Sequence, residues 1–186
     1  MATCTTALSG NILNDCNEAI GRGLMNTAWI IDKASVTSVT RAGNIISAMA
    51  GAVAHKCLVP GSMPFNGTNI AGDDAEVMPG YTKVARLWLG ANSPKNAQHV
   101  DELCKNPHIV VIELQQKNAE AEQAFIVIGA EQGAYGKSAA WDAYGDNKGG
   151  WAVDMTEEEA QTAQVFFWAE SVEATRAALD SMVSNE

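Results

Sequence analysis

The chain has 186 residues, with 22 acidic against 12 basic side chains and a formal net charge of -10 at pH 7. That length suits one domain, residues 1–186, able to bury a sizeable core of its own. The excess of negative charge repels phosphate backbones and anionic lipid, which disfavours tight clamping of duplex DNA and adhesion to membranes, but not DNA that passes without sticking.

No run reaches the apolar length of a transmembrane helix, and the polar start MATCTTALSGNILNDC lacks the basic-then-apolar order of a signal peptide. Four cysteines, Cys4, Cys16, Cys57 and Cys104, form no Cys-x-x-Cys pair. Scattered thiols without an export signal are expected to be reduced, in a protein made in a cytoplasm. Cys4 and Cys16 stand close enough in the chain to be bridged, and their redox state is left open.

In chain order, NTAWIIDKASVTSVTRAGNIISAMA reads as three short strands joined by tight turns. Trp29, Ile30 and Ile31 form an apolar run, SVTSVT is β-branched, and Arg41-Ala42-Gly43-Asn44 is turn chemistry before a second apolar run. GAVAHKCLV looks like a fourth strand, with Val53, His55 and Cys57 on one face and Ala54, Lys56 and Leu58 on the other. The segment from Pro60 to Gly80 shows no sustained period and reads as a long loop. Met63, Phe65, Ile70 and Met78 give it more apolar content than a solvated loop needs. It either tucks onto its own core or contacts a partner.

YTKVARLWLGA resumes strand character. SPKNAQHVDELCKNP then predicts a helix over about 94–105, with Ser93 as N-cap, Pro94 at the first position and Pro107 as the stop. Ala97, Val100, Leu103 and Cys104 give it one apolar face to lay on a sheet. HIVVIELQQ and EQAFIVIGAE are two apolar strands around a charged turn containing Asn118 and Glu120. WAVDMTEEE and TAQVFFWAE read as strands, followed by a helix over about 171–183. Thr156-Glu157-Glu158-Glu159 also fits a capping box opening one long helix, but the aromatic content of VFFWA favours strands.

FIVIGAEQGAYGKSAAWDAYG ends a strand-like run in Gly136-Lys137-Ser138, as a nucleotide-binding phosphate loop does. The motif requires glycine at position 131, which is Glu131, and a glutamate in a phosphate cradle opposes its purpose. AAWDAYGDNKGG supplies no helix after it. The stretch is expected to be a strand, a turn and an irregular excursion.

His55, His99 and His108 lie in three segments without a second ligand at metal spacing. Cys104 and His108 are separated by helix-breaking Pro107, so the cysteine is expected in the core. Asp73-Asp74 and Glu157 to Glu159 do not resemble a calcium loop. No Gly-x-Ser-x-Gly or His-Glu-x-x-His is present, so neither a nucleophile nor a cofactor site is nominated. Trp29, Trp88, Trp151 and Trp168 fall in predicted strands and read as core or interface residues. Trp141, with Tyr135 and Tyr144, is the set that a carbohydrate-binding module would use.

The order of segments carries a resemblance. GRGLMNTAWIID, the hairpin SVTSVTRAGNIISAM, the long loop and YTKVARLWL are followed by SPKNAQHVDELCKN and HIVVIEL. FIVIGAEQGAYG, GDNKGGWAVDM and VFFWAES-VEATRAALDSM close the series. This resembles the tail-tube-like virion structural proteins of tailed bacteriophages, particularly phages of gut bacteria, most strongly from Tyr81 to Met182 with its Gly129-x-Glu131-x-Gly133 turn. The resemblance implies a mainly β (α+β) fold, a β-sandwich or β-barrel with a flanking helix. It also implies a non-enzymatic protein that associates with itself into rings in a virion tail or neck, beside neighbouring tail or neck proteins and around passing DNA. The alternative is a monomeric ligand-binding β-sandwich module, for instance one that binds carbohydrate. Met63, Phe65, Ile70 and Met78 are the expected oligomer contacts. Phe65→Ala should lower the native mass of the assembled protein and leave the thermal melt of the monomer unchanged; a lowered melt would instead assign Phe65 to the core.

Overall fold

The computed structural model describes residues 24–58, 68–72, 80–90, 92–115, 117, 121–143 and 149–184. Cys4, Cys16, Met63, Phe65, Asp73, Asp74, Met78, Asn118, Glu120 and Tyr144, on which the sequence raised expectations, lie outside them. The fold is mainly β, with eleven strands in two sheets and two α-helices among the described residues.

The strands are β1 (Leu24–Asp32), β2 (Ser38–Ala42), β3 (Ile45–Ala50), β4 (Ala54–Leu58), β5 (Thr68–Gly72), β6 (Tyr81–Leu89), β7 (His108–Leu114), β8 (Phe125–Ile128), β9 (Tyr135–Trp141), β10 (Trp151–Ala160) and β11 (Val165–Phe167). Helix α1 spans Pro94–Lys105 and α2 spans Val172–Ser181. The larger sheet runs β2-β3-β11-β8-β7-β1-β4, and the smaller runs β5-β6-β10-β9. All pairings are antiparallel except β11 with β3.

Both faces of the larger sheet are covered, so its central strands read as unbroken apolar runs instead of alternating ones. Val110 and Ile112 of β7, Ala28 of β1 and Ile128 of β8 pack against Ala85, Leu87, Val153 and Met155 of the smaller sheet and Val100 and Leu103 of α1. On the opposite face Trp29, Ile31, Ile109, Val111 and Phe125 pack with Leu179 of α2. The expected sandwich with a flanking helix is thus three layers deep at its centre, because α2 caps the outer face.

Polar bonds pin α2 at its middle and at its C-terminal end. Arg176 donates Nε and Nη2 to the two oxygens of Glu113 at 2.9 and 2.6 Å, and Lys117 Nζ lies 2.9 Å from Glu113 Oε1. Burial alone would raise the Glu113 carboxyl, but these bonds hold it below the usual carboxylate range. Asp180 Oδ1 accepts from Trp29 Nε1 at 2.9 Å and meets Lys56 Nζ at 2.8 Å. Both helices use the caps the sequence announces: Ser93 Oγ accepts from the Asn96 N–H, and Ser171 Oγ from the Ala174 N–H.

Two expectations fail. The Pro60–Gly80 segment contains a strand, β5, paired along its whole length with β6. The stretch after Gly133 is not irregular: Tyr135–Trp141 is β9, paired with β10. Both are edge strands of the smaller sheet, stabilised by backbone pairing and rich in small residues, so neither shows an apolar period. The capping-box alternative at Thr156–Glu159 also fails, since β10 continues as a strand to Ala160.

On the inner face of the smaller sheet Lys83, Ala85 and Leu87 of β6 stand opposite Glu157, Met155 and Val153 of β10. Lys83 and Glu157 are both fully buried, with Nζ 3.3 Å from Oε2. Glu157 also accepts three backbone N–H bonds, from Gly129, Glu131 and Gln132, each 2.9 Å. Glu157→Leu leaves a buried cation and three unmet donors, and should cost about 3–5 kcal/mol. Lys83→Met leaves the carboxylate on its three donors and should cost about 1–3 kcal/mol. Urea unfolding of both variants checks the order; equal losses would show that the pair alone matters and the backbone donors do not.

Candidate functional site

The Gly129–Gly133 turn, GAEQG, joins the end of β8 to the approach to β9. Gly129 and Gly133 both have positive φ, +88° and +91°. A Cβ on Gly129 would lie 2.2 Å from the His108 carbonyl oxygen, and one on Gly133 would lie 2.8 Å from Pro107 Cβ. Glycine is required here so that the turn can press against the start of β7. There Ala134 and His108 exchange backbone hydrogen bonds of 2.8 and 2.9 Å.

Charged side chains hold the turn from two directions. Its N–H groups converge on the Glu157 carboxylate. Its carbonyls at Gly129, Ala130 and Glu131 accept from Lys33 Nζ at 3.3, 3.0 and 2.8 Å. Burial lowers the Lys33 ammonium, opposed by the nearby charges of Glu157 and Glu131. The turn therefore is an anion nest of the kind phosphate loops use, but its anion is the chain's own Glu157. Lys137, which looks like the phosphate-loop lysine, sits on β9 beside Glu158 at 3.1 Å on the surface.

The Glu131 side chain leaves the nest and braces the hairpin formed by β2 and β3. Arg41 Nη1 donates to Glu131 Oε1 at 3.0 Å, Arg41 Nη2 to Thr162 Oγ1 at 3.3 Å, and Arg41 Nε to the Gly43 carbonyl at 2.6 Å. Glu131 also accepts from the Thr162 hydroxyl at 2.6 Å and from the Gln161 N–H at 2.6 Å. Burial would raise its carboxyl, but the Thr162, Arg41 and Gln161 bonds and the charge of Lys83 bring it down to about 2.

The hairpin so braced is the most open part of the larger sheet. All five residues of β2 are exposed, with Val39 at 42 %. Gly43 makes the β2–β3 turn with φ +58°. Among the described residues β2 pairs only with β3, so its outer row of backbone groups faces no strand. At the other end of the same sheet, β4 pairs with β1, and among the described residues its outer edge is met at Ala54 alone, by Met182 and Ser184. Among the described residues the larger sheet thus ends in β2 on one side and in β4, met at Ala54, on the other, which is the geometry of strand addition.

The other residues singled out from the sequence are scattered. Ile70 lies on edge strand β5, while Met63, Phe65 and Met78 fall outside the described residues. Trp141 is exposed, its Nε1 donating to the Gly149 carbonyl at 3.2 Å. Tyr135 stands at the opposite end of β9, roughly 20 Å away at the rise of a strand, so the two do not form one sugar platform. Trp29 is buried, while Trp88, Trp151 and Trp168 are half-buried against the two core clusters. Glu157, Glu158 and Glu159 diverge, and no cluster suited to a metal ion occurs among the described residues. Cys104 packs half-buried, its Sγ 2.9 Å from where a Cβ on Gly136 would stand. Arg41 and Glu131 were not expected to meet, since nothing in the sequence links them.

Comparison with protein-family models, with curated proteins and with solved structures finds no match to this chain.

The depressed carboxyl of Glu131 makes a pH signature. Its bonds stabilise the fold fully above the unfolded carboxylate value of about 4.3, and that contribution is lost as pH falls from there through about 2. Glu131→Gln should therefore be less stable than the wild type at pH 6 and equal to it near pH 2, with faster amide exchange along β2. A constant gap across that range would remove Glu131 as the brace.

Proposed function

We propose that this chain is a non-enzymatic virion structural protein that associates with itself into rings, forming part of a bacteriophage tail or head–tail channel through which DNA passes. The observation that carries this reading is β2, an edge strand exposed at every residue and tied to the glycine turn through Arg41 and Glu131. An edge left bare invites pairing, and natural proteins cover or charge such edges unless a partner uses them.

In the proposed ring the β2 edge of one copy meets the β4 edge of the next, a heterologous contact repeated until it closes. Backbone pairing supplies affinity, and Val39 supplies apolar area at the joint. A net charge of -10 suits a wall past which nucleic acid slides without being held. The resemblance of the segment order to tail-tube-like proteins points in the same direction, and it extends to neighbouring tail or neck proteins as further partners and the virion as location.

The test is native mass across a concentration series, with electron micrographs of the same samples. The wild type should show rings or short tubes. Val39→Lys places a charge of the kind that natural edges use against pairing, and should yield folded monomers. Wild-type assembly that survives Val39→Lys would move the joint away from β2, and a wild type that stays monomeric with purified tail or neck ends present would sink the ring reading.

A further inference from the structure

The structure brings together what the sequence keeps apart: His55, His99 and His108, the chain's only histidines, all line one cleft of about 560 Å³. It lies between α1 and the β4 side of the larger sheet, far from the exposed β2 edge in strand order. Its size is that of a small-molecule site.

The lining is less acidic than the protein as a whole. Lys56 and Lys95 stand there with the three imidazoles against one carboxylate, Glu102, in a chain whose acidic residues outnumber basic ones by 22 to 12. Two of these charges are already engaged. Lys56 meets Asp180, and Glu102 is held by bonds from Gln98 and from His99 Nδ1 at 3.3 Å, which keep its carboxyl ionised below the usual range. His108 Nε2 faces the Glu102 carbonyl oxygen at 3.3 Å. Lys95 and His55 have no partner among the described residues and remain open to a ligand. Lys95 sits in the first turn of α1, whose positive end adds potential of the same sign.

Ile30, Cys57, Trp88 and Leu103 also line the cleft and give it an apolar part. Burial pushes the Cys57 thiol up to about 11, so it contributes as a small neutral group and not as a nucleophile. The histidines do not converge as a metal set, since no group of three metal-ligating side chains close enough to share an ion occurs among the described residues. Imidazoles and lysine around an apolar base instead suit an oxyanion carried on a small apolar body.

We propose that this cleft binds a small organic anion, with a phosphate or carboxylate group set against Lys95, His55 and His99 and its apolar part against Ile30, Trp88 and Leu103. The cleft is lined in part by β4, the edge that the proposed ring also uses, but its test reads the imidazoles and not assembly, so the two proposals fail separately. With only three imidazoles in the chain, their long-range ¹H–¹⁵N spectrum reads the site directly. Titration of the full chain with phenyl phosphate should move all three imidazole signals along one saturating curve, and inorganic phosphate should bind more weakly. Lys95→Ala, an exposed change that leaves the core untouched, should weaken phenyl phosphate by about tenfold or more, the worth of a charge-assisted bond. Lys137→Ala, which removes an exposed lysine on β9, should leave it unchanged. Shifts that never saturate, or an affinity indifferent to Lys95→Ala, would overturn the site; equal binding of the two probes would overturn the role given to the apolar part.

Discussion

A carboxylate with no access to water has to be met on every side by charge or by hydrogen-bond donors, or it forces its surroundings to rearrange. Glu157 is such a group, and the layout around it follows from that requirement. Lys83 faces it from the neighbouring strand, and the N–H groups of Gly129, Glu131 and Gln132 close over its oxygens. To aim those donors inward the turn must curl tightly against β7, which is why positions 129 and 133 are glycine. The carbonyls then point the other way and are collected by Lys33 from the end of β1. One buried acid thus ties the smaller sheet to the larger through a turn that belongs to neither.

The same turn extends order outward. Because the Glu131 backbone is fixed by the nest, its side chain leaves in a fixed direction and reaches Arg41 and Thr162. That ties the exposed strand β2 to a water-free pair, while Ile46 and Met49 of β3 anchor the other half of the hairpin in the core. In the proposed ring the β2 edge benefits from this arrangement. Preorganisation lowers the ordering cost of association, and Val39 of β2 remains exposed.

Much of the architecture was readable from residue order. Pro94, Ser93 and Pro107 bounded α1 correctly, and the runs in β7 and β8 announced apolar strands. Less was readable where side chains do not carry the stabilisation. TNIAG and YGKSAAW lack an apolar period because edge strands are held mainly by backbone bonds to one neighbour. Gly136-Lys137-Ser138 suggested a phosphate loop that Glu131 argued against, and the structure shows a nest just before it, at GAEQG, with an internal carboxylate in place of a phosphate. Lys83 carried a faint signal: it shares strand parity with Ala85 and Leu87, which places a lysine on the apolar face and implies a buried counter-charge. Nothing in the sequence named Glu157 over Glu158 or Glu159 as that partner.

What the sequence determined by itself was therefore local: where strands and helices form, which glycines and prolines punctuate them, and the acidity of the surface. These depend on neighbours a few residues away, whose spacing is visible in one dimension. The tertiary structure alone decided the two-sided burial of the larger sheet, the enclosure of Glu157, the bracing of β2 through Arg41, and the gathering of three histidines in one cleft. Each joins segments distant in the chain, and the register that brings them together is set by packing across sheets, where a shift of one residue would exchange every inward side chain for an outward one.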